Sequence, residues 1–295
     1  MEAGYNTTYD TDYYDYPNYY NERNLPGLPH HIDVNYIYFV VTCIIISIGL
    51  PLVLVTIYAL LSLVRQGQVA PIYVINLFIS DIIQLCCMIV FVSKDETLMA
   101  VNVYSCGVLS SVGFMVCISL ERYLVIVHPL WYRFKRTIKI SVAVCAVVWA
   151  FPVCFLIVFP WVTYTVTIIV LPIILIIPFP LFIFFLVRTL RALSSSVSVR
   201  SDEKRRIVGT LVVVLLIYTL LFLPTIIRFL LQATGFDSLM FHYTSGIIVR
   251  LSPLADMLLY IFIRKQTMGN CLASVCCCIK ESNDPTTSAV TVDDI

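Results

Sequence analysis

Asp81, Arg228, Arg250 and Asp256 stand inside long apolar stretches of this sequence, and a charged pair, Glu121-Arg122, closes another stretch. An ionised group in hydrocarbon costs at least about 2.5–3.5 kcal/mol on insertion scales, so each needs a partner or a wet cavity. The residue types limit what they could do there. An arginine presents a planar fork of donors that meets carboxylate or phosphate oxygens two at a time. A carboxylate out of water holds a cation or a proton. Catalysis is a poor fit. The four histidines, His30, His31, His128 and His242, form no metal-ligand spacing, and no apolar stretch pairs a convincing nucleophile with a base. The reading is therefore non-enzymatic, with no catalytic residues, no metal centre and no organic cofactor.

The elements that must carry these groups follow from composition. Hydrophobic residues make up 60% of the 295 and charged residues only 13%, with a mean hydropathy of +0.92. A water-soluble fold carries about a quarter charged residues and could not hide so much apolar surface. Crossing about 30 Å of hydrocarbon takes roughly 20 apolar residues per helix. Runs of that length predict seven spans, near 35–63, 70–92, 98–127, 138–160, 162–188, 206–232 and 240–263. The fold class expected is an all-α membrane bundle. Numbering the gaps alternately puts fifteen of the nineteen Lys and Arg on one side, from Arg65 through Lys280, and only Arg23 and Lys94 on the other. Basic loops stay cytosolic, so the amino terminus is expected outside the cell and the carboxyl terminus inside.

Three domains are read on this basis: a disordered extracellular tail over 1–34, the bundle over 35–263, and a cytosolic segment over 264–295. The tail interleaves seven tyrosines with Asp10, Asp12 and Asp15 and shows no periodicity. It is read either as a solvated arm or, if its tyrosines are sulfated, as an anionic lure for a basic partner. Asn6-Thr7-Thr8 is a glycosylation sequon on the outer side. No cleavable signal is recognised in the first 34 residues, so the first span is expected to serve as its own insertion signal. No cysteine falls in an expected outer loop, so no extracellular disulfide is expected. After the last span, Ile261–Ala273 mixes Phe262 and Leu272 with Arg264 and Lys265, as a short interfacial eighth helix would. Cys271, Cys276, Cys277 and Cys278 just beyond are palmitoylation candidates.

Order and spacing of several motifs together make the chain recognisable. Leu77-Phe78-Ile79-Ser80-Asp81, Glu121-Arg122-Tyr123, Trp149, Phe222-Leu223-Pro224 and Asp256-Met257-Leu258-Leu259-Tyr260 fall in the second, third, fourth, sixth and seventh spans. The set resembles the signature positions of rhodopsin-like (class A) G-protein-coupled receptors over about residues 40–270, nearest the purinergic, proton-sensing and lipid receptor branch.

The resemblance implies a role for each. Glu121, Arg122 and Tyr123 would engage a heterotrimeric G protein, an intrahelical Glu121–Arg122 ion pair holding the arginine at rest. Leu130, in His128-Pro129-Leu130, would be an apolar knob for the same partner. Asp81, Phe222, Pro224, Asp256 and Tyr260 would form the activation switch, Pro224 kinking a lever whose moving end is marked by Lys204–Arg206. Asp81, Ser111, Ser252 and Asp256 would bound an allosteric Na⁺ site. Arg228 and Arg250 would form a cationic ligand pocket open to a small anion, a lysolipid, carboxylate or nucleotide; the alternative leaves both arginines paired with internal groups. Arrestin would read the Ser/Thr-containing tail, and membrane lipid surrounds the bundle at the plasma membrane. Nucleic acid has no part in this reading.

Departures from the pattern are equally visible. Leu50-Pro51 follows Gly49 where the family has Gly-Asn, Met257 stands in place of a proline, and Asp81 and Arg122 are only 41 positions apart. The cysteine that usually closes the outer end of the third span, and its loop partner, are both absent. This marks a divergent member. A proton-sensing or basic-peptide receptor of the same fold stays open beside the anion reading. A membrane transporter is the competitor from another class, but ten glycines and no visible repeat give it little support.

Overall fold

The computed structural model describes residues 34–65, 72–93, 97–130, 132, 138–158, 164–195, 201–235 and 239–262. All regular structure among them is helical. The first four spans are single helices, Val34–Arg65, Ile72–Val92, Leu98–Val127 and Ile138–Val158. The fifth is two segments, Tyr164–Ile176 and Pro178–Ser195, and the sixth runs from Ser201 to Ala233. The seventh is Leu239–Arg250, resuming over 252–262 after a turn at Leu251. Among the described residues six of these stretches are long and apolar enough to cross a bilayer, and the fourth contributes a shorter apolar helix, Lys139–Cys154.

Most boundaries fall within a few residues of those expected. The largest difference is the connection expected over 189–205, much of which is helical: the fifth span continues to Ser195 and the sixth begins at Ser201. The glycosylation sequon at Asn6, the eighth helix and the cysteines at 271 and 276–278 lie outside the described residues.

Prolines break the helices where the sequence leaves few alternatives. Pro178 opens the second half of the fifth span, at a position where a helix needs no N–H from its own residue. In the seventh span Leu251 N donates to Ile248 O at 3.2 Å and Leu254 N to Leu251 O at 3.1 Å, a tightened turn just where Pro253 lacks its N–H. The break that Met257 cannot make is therefore made one turn earlier. Met257 packs instead: its sulfur accepts the Thr56 hydroxyl of the first span at 3.6 Å.

Burial is inverted relative to a soluble protein. Ser80, Asp81, Gln84, Ser111 and Asp256 are fully enclosed, while Val55, Tyr58, Val147, Leu220 and Leu258 lie exposed on the outside. That suits lipid, which makes no demand for polar surface. Inside, Phe78, Phe114, Phe182, Tyr218 and Phe222 form the bulk of the core. Phe114 meets Trp149 edge-on at 5.7 Å, and Trp149 Nε1 donates to Asn76 Oδ1 at 3.0 Å, tying the fourth span to the second. Gly113 lets the third and fourth helices approach closely, since a β-carbon there would come within 2.7 Å of Val148.

Candidate functional site

At the centre of the bundle the second, third and seventh spans bring two carboxyl groups together. Ser111 Oγ donates to Asp256 Oδ2 at 3.1 Å, and Gln84 Nε2 donates to Asp81 Oδ1 at 3.4 Å. Both aspartates are fully enclosed there. Asp81 Oδ2 and Asp256 Oδ1 have no donor, and the buried hydroxyls of Ser110, Ser252 and Tyr260 and the Gln84 carbonyl oxygen are likewise unpaired. Ser252 sits one turn before Asp256 on the same span. An oxygen-only set of this kind suits a hard cation, and a single shared proton would equally relieve the pair. Among the described residues no group of three or more His, Cys, Asp or Glu is gathered for a transition metal. Tyr260 closes the cluster by packing edge-on against Phe78 at 5.6 Å.

The Arg122 end differs from expectation. Glu121 Oε1 accepts the Tyr132 hydroxyl at 2.7 Å, and Arg122, whose Nε is buried without a partner, makes no ion pair among the described residues. Adjacent residues on a helix do not face each other, so a neighbour in the next loop reaches Glu121 more readily than Arg122 does. Tyr123 is buried and stacks on Phe185 at 5.3 Å, while Leu130 is 73% exposed just after Pro129.

The sixth span carries Phe222 and Pro224 in an aromatic cluster that sequence reasoning missed. Tyr218 is fully buried, lies 4.8 Å from Phe222 and meets Phe179 and Phe182 at 4.9 and 5.1 Å. Its hydroxyl donates to Leu175 O at 2.6 Å. Leu175 lies in the last turn before the break in the fifth span, where helical carbonyls lose their own donors. The proline-rich run 172–180 signalled a break, but nothing local pointed to Tyr218 as its cap.

The two arginines do not share one pocket wall. Arg228 Nη1 lies 2.8 Å from His242 Nδ1, and its guanidinium stands over Phe229 at 4.2 Å. Arg250 is 8% exposed; Nη1 donates to Thr42 Oγ1 at 2.8 Å, and the guanidinium lies over Tyr38 at 4.0 Å and 5.3 Å from Phe91. His242 was passed over in the sequence because no metal spacing included it.

Comparison with known proteins bears on this geometry. Residues 51–167 match the family described as 7 transmembrane receptor (rhodopsin family). That stretch includes Asp81, Ser111, Glu121, Arg122, Tyr123 and Leu130. G-protein coupled receptor 68 of Mus musculus is 29% identical over 122 residues, covering 38% of this chain and 33% of that protein. Type-1 angiotensin II receptor of Meleagris gallopavo is 29% identical over 156 residues, 45% of this chain and 42% of the relative. Lysophosphatidic acid receptor 5 of Bos taurus is 26% identical over 139 residues, 43% and 38%. The chain thus aligns with about a third to two fifths of each relative's length. Together with the helical bundle, these similarities support a rhodopsin-like receptor fold and a non-enzymatic, receptor-type membrane protein.

Proposed function

We propose that this chain is a rhodopsin-like G-protein-coupled receptor of the plasma membrane, with its amino terminus outside and the Arg122 end facing a heterotrimeric G protein. The basic loops favour that orientation, and the exposed Leu130 beside the helix end is an apolar contact for the partner. Arrestin binding through the Ser/Thr-containing tail belongs to the same reading.

The stimulus enters at the opposite end, and the observation that carries this is the 2.8 Å contact between Arg228 and His242. It joins the sixth span, which holds Pro224, to the seventh, which holds Asp256. Arginine is always a donor, so His242 Nδ1 must be the acceptor, and the ring must be neutral. Protonation turns it into a second cation and ends the contact. The tie therefore belongs to the neutral ring and is lost when acid protonates it, a protonation that Arg228 itself opposes. The charged or titratable groups around His242 include Arg228 and Tyr243, with Tyr38 of the first span behind Tyr243. A proton-sensing receptor is the reading this geometry favours. A basic peptide drawn by the acidic tail would act at the same mouth.

A second reading keeps a small anion as activator, a lysolipid, carboxylate or nucleotide, with Arg228 as its anchor. The similarity to a lysophosphatidic acid receptor favours it, whereas the enclosure of Arg250 narrows the cationic pocket to one arginine. Second-messenger output in cells separates the two. A wild-type response to acidification from about pH 8 to pH 6 that His242→Gln removes supports the first. A response to an anion at fixed pH, kept by His242→Gln and lost in Arg228→Ala, supports the second. Silence to acid, anions and basic peptides at normal surface expression would overturn both.

A further inference from the structure

Gln84 is a fully enclosed carboxamide, and half of it has no partner. Its Nε2 donates to Asp81 Oδ1 at 3.4 Å, a long and weak bond, while its carbonyl oxygen meets no donor among the described residues. Leaving an acceptor unpaired out of water is costly. Asp81 Oδ2, Asp256 Oδ1 and Ser252 Oγ are buried without partners as well. Carboxylate and carbonyl oxygens cannot satisfy one another; together they call for a positive ligand.

Two glycines place these groups at one height in the bundle. A β-carbon on Gly107 would come within 2.9 Å of Gln84 Cγ and 3.3 Å of the Ser80 carbonyl oxygen. The second span therefore lies directly against the third, and the Gln84 side chain takes the space that a side chain at 107 would fill. The two spans run antiparallel, so Asp81, one turn from Gln84 toward the Arg122 end, is level with Ser110 and Ser111, one turn from Gly107 in the same direction. Ser111 holds Asp256 at 3.1 Å. On the other side, a β-carbon on Gly49 would touch both Leu85, at 3.3 Å, and Leu254, at 3.5 Å, which brings the first, second and seventh spans together beside the same turn. Gln84 thus stands one turn above a cluster formed by Asp81, Ser111 and Asp256.

We propose that Gln84 is a rotating ligand for the cation that Asp81 and Asp256 would hold, and that Gly107 makes the room in which it turns. The two ends of a carboxamide are nearly alike in size, so a half-turn about the last side-chain bond exchanges N–H for oxygen in the same space. With its nitrogen toward Asp81, the amide takes the part of the missing positive charge and covers one carboxylate oxygen. With its carbonyl turned there instead, it adds a neutral oxygen to the carboxylate and hydroxyl oxygens, the donor type a hard cation takes. The turn gives up only one long hydrogen bond. The same residue closes the site when it is empty and completes it when it is filled. The inference rests on the cation reading of the carboxyl pair and is independent of the stimulus at the Arg228 end.

Thermal unfolding of the purified full-length chain in lipid nanodiscs tests this without any signalling readout, with Na⁺ replacing N-methylglucamine at fixed pH and fixed chloride. Raising Na⁺ from about 1 to about 300 mM is expected to raise the wild-type midpoint saturably by roughly 3–5 °C, the scale of a ligand well above its dissociation constant. Gln84→Met keeps the length of the side chain without either polar end, and should move the half-saturating Na⁺ concentration upward by about tenfold, one lost contact to a charged group. Gln84→Glu presents oxygen in either orientation and should bind Na⁺ at least as tightly as wild type. Gly107→Ala alters no polar group, yet should weaken Na⁺ binding, because its methyl collides with Gln84 Cγ. A wild-type midpoint indifferent to Na⁺ would remove the cation from the carboxyl pair, and the proposal with it. A wild-type response that Gln84→Met leaves unchanged or tightens would keep the cation and overturn Gln84 as its ligand. If Gln84→Met fails to fold, the other two variants decide: weaker binding in Gln84→Glu, or wild-type binding in Gly107→Ala, overturns the proposal.

Discussion

Two arginines carried by the sixth and seventh spans have opposite surroundings, and the difference separates a structural charge from a responsive one. Around Arg250 the neighbours are aromatic rings and a hydroxyl from the first and second spans, none of which changes charge near neutral pH. Around Arg228 the neighbours include an imidazole, the side chain whose ordinary chemistry changes charge there. The role of a buried cation is thus set by whether its partner titrates. In sequence both positions looked alike, and both were read as one ligand pocket.

The largest expected effect removes the end of the molecule that reads both regions. Arg122→Ala should abolish G-protein activation while surface labelling and thermal midpoint stay near wild type, because Arg122 makes no ion pair among the described residues and lies at the helix end. Unchanged signalling at equal surface expression would remove this motif from the coupling surface.

Next comes Arg228. Arg228→Ala should shift the half-maximal stimulus by about tenfold or more, the scale of a lost contact of about 1.5–3 kcal/mol. For a proton stimulus that is about one pH unit, toward higher pH, because the neighbouring cation that opposes a proton on the imidazole has been removed. For an anionic agonist it is a tenfold higher concentration. Arg228→Lys should recover only part of either, since a point charge does not reproduce the fork. Wild-type sensitivity in both variants would make Arg228 structural like its counterpart.

Arg250→Met should do the reverse, leaving sensitivity near wild type while lowering the thermal midpoint by roughly 4 °C or more, since Thr42 loses its donor and Tyr38 and Phe91 lose their cation. A shifted sensitivity with an unchanged midpoint would place Arg250 with the responsive arginine instead.

Smaller effects sharpen the contrast from the central core. Asp81→Asn should remove any sodium dependence of the response, together with whatever pH dependence survives in His242→Gln, since one amide cannot share a cation or proton as a second carboxylate does. Sodium and pH responses identical to wild type would exclude the pair as a sensor. Least of all, Tyr218→Phe should lower the thermal midpoint by about 2–4 °C, one buried hydrogen bond of about 1 kcal/mol, and raise basal output. An unaltered midpoint would mean that Leu175 O finds another donor.

What the sequence made legible was whatever hydropathy and local spacing carry. The helical spans, the burial of Asp81 and Asp256 and the proline in the sixth span could all be read because insertion costs act residue by residue. Pairings across the bundle could not. Glu121 turned to Tyr132, Arg228 to His242 and Tyr218 to Leu175, each choice made by helix rotation and packing rather than by a pattern along the chain. Pro253, one turn before Met257, makes the seventh-span break, a local signal that a comparison resting on position 257 leaves aside.

Tyr218 and Leu175 also give the molecule an optical handle. A carbonyl that accepts a short hydrogen bond vibrates at lower frequency than one bonded within a regular helix, and isotopic labelling of leucine carbonyls moves such bands out of the crowded amide envelope. If the sixth span swings about Pro224, the hydroxyl leaves and the Leu175 band rises. Comparing labelled wild type with Tyr218→Phe identifies the band, so the fifth-span break can report the motion of its neighbour in infrared light, with no fluorophore attached to the lever.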